Sequence, residues 1–407
     1  MSTLVILGYV WPEPCSSAAG SRMLSLIRLY LDKGWQVIFA SSAQLSPHRF
    51  TLTDWGVTEQ QVALNDDSFQ LWLAGINPTA VLFDRFMLEE QFGWRVEQAC
   101  PQAMRILDME DCHALRQARE HCFKAAKALD SAALNSDLAV REIAAIYRCD
   151  LTLVISEFEM QLLQQHFQVP AMLLCYCPFW LSELPDNYVA FEQRQHFVAI
   201  GNFRHAPNWQ AVLWLKQEIW PQIRQLMPKA ELHIYGAYPP PKATALHNAA
   251  QGFLVKGWAA DALQVLTEAR ICLAPLAFGA GLKGKLLDAM QAGTPSISTD
   301  IGVEGMTIAT GWAGIVANSS VDIAAAAISL YQDPQRWQQA QQQGLAILQQ
   351  RFSADNADLV WQRLSDGLQQ IDALRAANFT GVMLRSHAYR STKYMGQWIE
   401  AKNRRAE

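Results

Sequence analysis

The 407-residue sequence lacks the features that mark several large classes of protein. No apolar run reaches the roughly 18 to 20 residues that cross a bilayer, and the first residues are strand-like rather than a basic segment with a cleavage site. The eight cysteines form no repeated C-x-x-C pairs with histidines at metal-ligand spacing. The formal charge of −5 gives no general excess of Lys and Arg for binding nucleic-acid phosphates. We therefore expect a cytoplasmic protein with reduced thiols and no metal site.

Composition and length favour a compact protein of two domains. Hydrophobic residues make up 51% of the chain and charged residues 17%, which is typical of a globular protein rather than a disordered or repetitive one. A chain of 407 residues also exceeds the usual size of a single domain.

Short strand-like runs alternate with longer stretches of helical period. The runs form a first series at 4–10, 36–40, 80–84, 105–108 and 151–156, and a second at 197–201, 232–236, 253–257, 271–275, 295–299 and 314–317. Consecutive parallel strands need crossover connections of this length, so the alternation predicts parallel sheets. The predicted fold class is α/β, with two doubly wound, Rossmann-like domains that face a cleft.

Irregular sequence near residues 178–195 separates the two series and predicts a linker. We accordingly place a first domain at 1–185, a second at 190–375, and a helical segment at 376–407. Open α/β sheets bind ligands at the carboxyl ends of their strands, so the cleft between the sheets is the predicted site.

The most informative stretch, residues 274–295, follows a strand and opens a helix. Its glycines let backbone N–H groups approach an anion, the helix N-terminus carries partial positive charge, and Lys283 and Lys285 add full charges. A diphosphate would fit there, and Asp288 could accept hydrogen bonds from ribose hydroxyls. The alternative is a glycine-rich turn with solvated lysines. The candidate donor-binding residues of this stretch are Gly279, Ala280, Gly281, Leu282, Lys283, Gly284, Lys285 and Asp288.

Residues 274–295 resemble the donor-binding signature of the GT-B glycosyltransferases of family 4. That signature is a strand ending in Ala-Pro, a glycine-rich loop and a helix reading Leu-Glu-Ala-Met-Ala-x-Gly-x-Pro. Further matches lie at 201–208, 232–236 and 299–305, so the resemblance covers roughly residues 195–330. It implies a GT-B fold and transfer of a hexose from a UDP- or GDP-sugar, with retention and without a metal or other cofactor.

Two features depart from the pattern of that family. Many members carry two glutamates eight positions apart, of which Asp288 matches the second while Ala280 replaces the first. A subgroup of the family has a similar Gly-Ala-Gly-x-Lys loop in place of that element. The basic residues that usually follow the first strand of this domain are only partly matched by Arg204, our candidate phosphate contact, for which a surface arginine is the alternative. The resemblance implies that Lys283 and Arg204 stabilise the charge of the leaving group.

The loop at residues 11–22 joins the first strand to the first helix and is rich in small residues. Family members place a similar loop near the donor phosphates and the acceptor. The resemblance therefore implies a donor contact at Gly20 and acceptor contacts at Ser17 and Ala19. A loop kept small for packing of the helix on the sheet is the alternative.

Residues 108–116 follow a strand and combine three carboxylates, a histidine and an arginine, a density of titratable groups that indicates a site. The resemblance implies that His113 contacts the donor sugar, with Asp111 as its orienter or as an acceptor contact. A structural histidine is the alternative. Asp84, at the end of another strand, is a candidate acceptor-binding residue or the ion-pair partner of Arg85.

Three further segments have expected roles outside catalysis. At residues 141–142 and 156–159 we expect helix charge pairing and a helix cap, respectively. Residues 376–407 carry an excess of basic side chains and are placed to return to the first domain, as the final helix of GT-B enzymes commonly does. They could contact an anionic acceptor or a membrane surface, and a solvated helix face is the alternative.

Other functions are compatible with the same sequence. A catalytically degenerate GT-B protein that binds a nucleotide or glycan is an alternative, because Ala280 replaces the usual carboxylate. Another GT-B activity, a phosphorylase or an epimerase, is a further alternative, although no pyridoxal-type site supports a phosphorylase. A nicotinamide dehydrogenase is excluded because no G-x-G-x-x-G follows Gly8. The expected partners are a nucleotide sugar and a glycan, lipid-linked or macromolecular acceptor, and no integral membrane span is expected.

Overall fold

The computed structural model describes residues 2–185, 187–386, 394–395 and 398. The strands of the first sheet are β1 (Thr3–Gly8), β2 (Gln36–Ser41), β3 (Thr58–Gln61), β4 (Ala80–Asp84), β5 (Met104–Asp108), β6 (Leu151–Val154) and β7 (Leu174–Tyr176). They lie in the order β3-β2-β1-β4-β5-β6-β7, and every neighbouring pair is parallel.

A second sheet follows in the chain. Its strands are β8 (Gln195–Ile200), β9 (Leu232–Tyr235), β10 (Phe253–Gly257), β11 (Ala269–Ala274), β12 (Ser296–Ser298) and β13 (Gly314–Val316). They lie in the order β10-β9-β8-β11-β12-β13, again with parallel neighbours. The predicted fold class, two doubly wound parallel sheets, is confirmed.

Helices connect the strands and cover the sheets. Those beside the first sheet are α1 (Ala18–Asp32), α2 (Ser68–Ile76), α3 (Phe86–Ala99), α4 (His113–Lys124), α5 (Ser131–Leu134), α6 (Asp137–Arg148) and α7 (Glu157–Gln165). Those of the second half are α8 (Ala206–Trp214), α9 (Trp220–Leu226), α10 (Pro241–Thr244), α11 (Ala262–Glu268), α12 (Gly284–Gln291), α13 (Asp300–Val303), α14 (Ser320–Gln332) and α15 (Pro334–Arg351). The last described helices are α16 (Asp355–Gln369), α17 (Ile371–Ala377) and α18 (Phe379–Ser386).

The sequence explains why these elements form where they do. The central strands β1, β4 and β5 are short apolar runs that are buried along nearly their whole length, as expected for strands with helices on both faces. Serine side chains begin several helices: Ser17, Ser136 and Ser156 each accept a hydrogen bond from a backbone N–H of the first turn. The loops that follow β5 and β11 meet at Asp111 and Gly281, so both sheets present the carboxyl ends of their strands to the region between them.

After α15 the chain returns to the first sheet. Val360 and Leu364 of α16 are buried in the same core as strands β1 and β5. Arg375 of α17 forms an ion pair of 2.9 Å with Asp150, and Asn378 donates to the carbonyl oxygen of Tyr147 at 2.8 Å. The return therefore begins at α16, before position 376 where the sequence suggested it. We use "first domain" for the first sheet with α1–α7 and α16–α18, and "second domain" for the rest.

Two strands were missing from the prediction. Strand β3 reads Thr-Glu-Gln-Gln and lies at the edge of the sheet, and β7 has only three residues. The six strands expected in the second half are all present. Among the helices of the described residues, none combines the length and apolar character that a bilayer span requires.

Candidate active site between the two sheets

A glycine-rich loop at residues 279–284, called here the glycine loop, leads from the end of β11 into α12. At Gly281 the backbone has φ +63°, and an added β-carbon would lie 2.8 Å from the β-carbon of Asp111 in the first domain. At Gly284 an added β-carbon would lie 2.3 Å from that of Ala18. Glycine is therefore required at these two positions because the domains touch there.

The N-termini of two helices meet at this contact. Ala18 is the first residue of α1 and Gly284 the first of α12. Each terminus carries partial positive charge and leaves backbone N–H groups without partners inside its helix. Two such termini facing one point form an environment suited to a polyanion such as a diphosphate.

Two lysines add charge to the same region. The Nζ atom of Lys283 donates to the carbonyl oxygen of Gly281 at 2.6 Å, and that of Lys285 donates to Oδ1 of Asn208 at 2.6 Å. Burial lowers the pKa of each lysine to about 8, with Glu304 and Glu159 partly opposing the shift at Lys283. The side chain of Lys283 is buried, and its ammonium group is bound to the backbone of the glycine loop.

Asp288 lies one turn into α12 and is partly exposed. Burial raises the pKa of its carboxyl to about 7, and no neighbouring charge contributes to the shift. A carboxyl in this state is suited to hydrogen bonding with neutral hydroxyl groups.

The two apolar side chains of the glycine loop lie in apolar clusters. Ala280 is buried with first-domain residues such as Leu115 and Ala118, and Leu282 packs with Ile155, also of the first domain. A glutamate in place of Ala280 would put a carboxylate into that core. This packing gives a physical reason for the departure from the two-glutamate pattern.

Two first-domain helices hold the glycine loop from the other side. Arg119 of α4 donates to the carbonyl oxygen of Gly279 at 2.8 Å and forms a two-pronged ion pair with Glu304, at 2.7 and 2.8 Å. Glu159 of α7 accepts a hydrogen bond of 2.9 Å from the backbone N–H of Gly281. These contacts fix the loop relative to the first domain.

His113 begins α4 and is positioned by a buried carboxylate. Glu142 accepts from the backbone N–H groups of His113, at 3.0 Å, and Ala114, at 2.9 Å. The Nδ1 atom of the imidazole lies 3.0 Å from the carbonyl oxygen of Asp111. A carbonyl oxygen can only accept a hydrogen bond, so this contact places a proton on Nδ1. In that neutral tautomer, Nε2 is a hydrogen-bond acceptor.

Asp111 has two cationic or potentially cationic neighbours besides His113. Its Oδ2 atom pairs with the guanidinium of Arg116, and His205 from the second domain lies nearby. Burial alone would raise the pKa of Asp111, but Arg116, His113 and His205 outweigh it and hold the pKa well below its usual range. His205 is exposed at the surface, and crowding by neighbouring atoms lowers its pKa, with Asp111 partly opposing the shift. Asp111 is consequently ionised at neutral pH.

A second group of buried acids lies at the ends of β4 and β5. The Oδ2 atom of Asp84 accepts a hydrogen bond of 2.9 Å from the backbone N–H of Tyr9. The other carboxylate oxygen of Asp84, Oδ1, is buried without a hydrogen-bond partner, and so is Oε1 of Glu110. Burial raises the pKa of both carboxyls, that of Glu110 to about 8. Arg85 and Glu110 have φ values of +74° and +59°, unusual for side-chain-bearing residues. The predicted ion pair is present but loose, with 3.8 Å between Asp84 and Arg85.

The small-residue loop serves packing as well as the cleft. Ser17 caps α1 by accepting from the N–H of Gly20, and Ala19 is half-buried in the first turn. An added β-carbon at Gly20 would lie 2.4 Å from the backbone of Glu13. The absence of a side chain at Gly20 therefore leaves room for the backbone of Glu13. The donor contact of Gly20 stays a prediction.

Arg204 lies on the loop after β8 and is exposed. Its guanidinium stacks 3.6 Å from the ring centre of Tyr238, whose hydroxyl donates to Glu13 of the first domain at 2.8 Å. The next residue, His205, interacts electrostatically with Lys283 and Lys285. In the loop after β8, His205 rather than Arg204 is therefore the residue that interacts with Lys283 and Lys285.

Sequence reasoning missed five residues of this arrangement or gave them other roles. They are Glu110, Arg119, Glu142, Glu159 and His205. The motifs at 141–142 and 156–159 were assigned to charge pairing and capping, and Arg141 does pair with Glu90 while Ser156 does cap α7. The neighbouring glutamates instead bind backbone N–H groups outside their own helices, which no local pattern signals. Within the described residues no cluster of His, Cys, Asp or Glu has the arrangement of a metal site.

Comparison with known proteins finds a matching family model and several similar structures. Residues 194–333 match the family model described as glycosyl transferases group 1. No curated protein sequence matches the chain significantly.

Several solved structures share the fold over nearly the whole chain. Sucrose-phosphate synthase from Thermosynechococcus elongatus superposes with a TM-score of 0.65 at 14% identity, covering 92% of this chain and 100% of that one. HepE from Anabaena, in complex with UDP and glucose, gives 0.67 at 12% identity, covering 91% and 100%. A TarM mutant from S. aureus, in complex with fondaparinux, alpha-GlcNAc-glycerol and UDP, gives 0.66 at 8% identity, covering 90% and 100%. The fold of the chain is GT-B.

Proposed function

We propose that this chain, whose residues 194–333 belong to the glycosyl transferases group 1 family and whose fold is GT-B, transfers a hexosyl group from a UDP- or GDP-sugar to a hydroxyl-bearing acceptor. The observation that carries the proposal is the meeting of the α1 and α12 N-termini at Ala18 and Gly284, beside Lys283 and Lys285. Two positive helix ends and two ammonium groups match the charge of a diphosphate.

The donor residues have distinct proposed roles. The diphosphate lies at residues 281–285, with Arg204 as an outer phosphate contact, and the ribose hydroxyls bind Asp288. The sugar lies towards His113, whose Nε2 accepts a hydrogen bond from a sugar hydroxyl while Asp111 keeps the ring oriented. The UDP bound in the HepE and TarM structures supports a uridine nucleotide as the first candidate.

The proposed reaction keeps the anomeric configuration and uses no metal. The bond from the anomeric carbon to the β-phosphate oxygen breaks, the acceptor oxygen bonds to that carbon from the same face, and the acceptor proton passes to the departing phosphate. Negative charge grows on the diphosphate during this step, and the lysines and helix N-termini stabilise it. The acids at the other strand ends are therefore free to bind the acceptor.

We place the acceptor beside Asp84, with Ser17 and Ala19 at the edge of its site. Asp84 and Glu110 bring buried carboxyl groups with unpaired oxygens, which sugar or polyol hydroxyls could satisfy. The acceptor class stays a glycan, a lipid-linked sugar or a macromolecule. Fondaparinux and alpha-GlcNAc-glycerol in the TarM complex support a glycan.

The basic C-terminal segment is a second proposed contact, with an anionic acceptor or membrane surface. Most of residues 387–407 lie outside the described residues. Within α18, Phe379 and Met383 expose 69% and 53% of their side chains, while Arg385 is held by Glu97 and by the carbonyl oxygen of Arg148. Exposed apolar groups next to cationic sequence are typical of helices that bind lipid surfaces.

A non-catalytic GT-B protein that binds a nucleotide or glycan is the second candidate. The observation that favours it is the burial of Ala280 where a sugar-binding carboxylate is common. Hydrolysis of a sugar nucleotide by the purified chain distinguishes the two, since a binding protein would show none.

A thermal-shift screen with UDP, GDP, ADP, CMP and their sugar conjugates tests the proposal. A ligand that binds only the folded chain stabilises it by mass action and so raises the melting midpoint. At a concentration of 100 times the dissociation constant, the free energy of unfolding increases by about 2.7 kcal/mol. We expect a selective shift that is lost in Lys283→Ala and kept in Lys229→Ala, an exposed lysine before β9. No shift with any nucleotide would overturn the donor assignment.

A further inference from the structure

Glu159 is a fully buried carboxylate shared by the two domains. Its Oε1 atom accepts from the backbone N–H of Cys112 at 2.8 Å and from that of Gly281 at 2.9 Å. Its Oε2 atom accepts from the hydroxyl of Ser156 at 3.1 Å. One oxygen therefore binds both the residue before α4 and the middle of the glycine loop.

This use of Glu159 differs from what its sequence motif predicts. In the pattern Ser-x-x-Glu the glutamate normally bonds back to the N–H of the capping serine. Here Ser156 caps α7 as expected, but the carboxylate leaves its own helix and spans to α4 and to the second domain. A buried acid is costly to place, and burial raises the pKa of Glu159 to about 7.

The two groups joined by Glu159 belong to the two halves of the proposed donor site. Cys112 immediately precedes His113, the proposed sugar contact, and Gly281 precedes the lysines of the proposed diphosphate site. The carbonyl oxygen of Gly281 is bound in turn by Lys283. The peptide groups on either side of Gly281 are thus held by Glu159 and Lys283, and two N–H groups bonded to one oxygen cannot separate without losing a contact.

We propose that Glu159 is a positioning residue that sets the distance between the glycine loop and His113 through its shared oxygen. This inference rests on the proposed glycosyl transfer. The N–H of Gly281 is occupied by Glu159, so the diphosphate draws its backbone contacts from residues after Gly281. Loss of Glu159 lets the loop move away from His113, and a displacement of about 1 Å can cost about 10²-fold in rate.

The test compares Glu159→Gln, Glu159→Ala and Glu159→Asp in the full chain, with Glu183→Gln, at an exposed site, as the control. Each is assayed for hydrolysis of the sugar nucleotide selected by the thermal-shift screen, per mole of folded protein. A glutamine keeps a carbonyl oxygen in place to accept both N–H groups. An aspartate keeps the charge but is too short to reach them.

We expect Glu159→Gln to keep kcat within about threefold, and Glu159→Ala and Glu159→Asp to lose about 10-fold to 10²-fold in kcat with a donor KM changed less than about threefold. Glu183→Gln should match the unaltered chain. Wild-type kcat in Glu159→Asp, or an equal loss in Glu159→Gln and Glu159→Asp, would overturn the positioning role. If the unaltered chain binds and hydrolyses no sugar nucleotide, the proposed function itself fails.

Discussion

The β-carbon of Ala18 lies 2.3 Å from the point that a β-carbon on Gly284 would occupy. The first residues of α1 and α12 are therefore in contact without room for a methyl group between them. In Gly284→Ala the two helix N-termini must separate, which weakens the combined field at the proposed diphosphate site. We expect nucleotide affinity to fall about tenfold or more, measured by isothermal titration calorimetry.

The matched control for that variant is Gly75→Ala in α2, where an added β-carbon meets nothing within 4 Å. This control should bind the nucleotide as the unaltered chain does. Unchanged affinity in Gly284→Ala would show that the diphosphate binds elsewhere.

Donor binding should weaken as the pH rises above about 8. The pKa values of Lys283 and Lys285 are lowered by burial to about 8, so both ammonium groups lose their protons above that pH. Any change in the charge of the nucleotide itself affects all variants equally, so the comparison with a variant that cannot titrate isolates the contribution of the protein. A Lys283→Arg, Lys285→Arg double variant cannot deprotonate in this range, and its affinity should stay flat with pH. An equal decline in both proteins would rule out titration of these lysines as the cause.

The Arg22–Asp108 ion pair should be essential for stability. The two side chains expose 1% and 0% of their surface, lie 2.8 Å apart, and Arg22 also donates to the carbonyl oxygen of Cys177. Asp108→Asn leaves a buried guanidinium without its counter-charge, and we expect a loss of about 3 to 5 kcal/mol in urea denaturation. Asp32→Asn, which breaks the exposed pair with Arg28, should cost about 0 to 1 kcal/mol. Similar costs for both variants would contradict the burial argument.

Glu110 should make the first domain less stable at alkaline pH. Burial raises the pKa of its carboxyl from 4.5 to about 8, so the folded chain retains a proton that the unfolded chain releases between those values. The stability from this group is complete below about pH 4.5 and is lost as the pH rises through 8. Glu110→Gln cannot ionise, so its melting temperature should exceed that of the unaltered chain by a few degrees at pH 8.5 and by less at pH 5. Glu183→Gln, an exposed site, should show no such pattern.

Binding of the C-terminal segment to lipid should need both its charge and the apolar face of α18. We expect the full chain to sediment with vesicles containing anionic lipid but not with zwitterionic vesicles, since cationic segments gain about 1 kcal/mol per basic residue at an anionic surface. A Phe379→Ser, Met383→Ser double variant should lose at least half of that binding. Leu71→Ser, at a side chain 75% exposed on α2, should not. Equal binding to both kinds of vesicle would exclude an electrostatic contact.

Residues with a strong local pattern could be predicted from the sequence. The alternation of buried strands and helices gave the fold class, and the glycines of residues 279–284 indicated the close approach that the structure has at Gly281 and Gly284. Strand β3 could not be predicted, because Thr58–Gln61 is polar and lies at the edge of the sheet, where strand pairing needs no apolar side chains. The contacts of Glu142 and Glu159 could not be predicted for a different reason. Their partners, Ala114 and Gly281, are distant in the chain, and only the packing of α4 and α7 brings them together.

The chain passes between the domains in two places, at residues 177–194 and after α15. The backbone N–H of Leu181 in the first passage donates to the carbonyl oxygen of Phe352 in the second at 2.9 Å, and Phe179 and Phe352 share one apolar cluster. Two connections bonded side by side join the domains along one edge, an arrangement that favours rotation about that edge over sliding. We therefore expect any opening of the cleft to rotate the domains about this edge, which separates His113 from the glycine loop and brings them back to the same positions on closing.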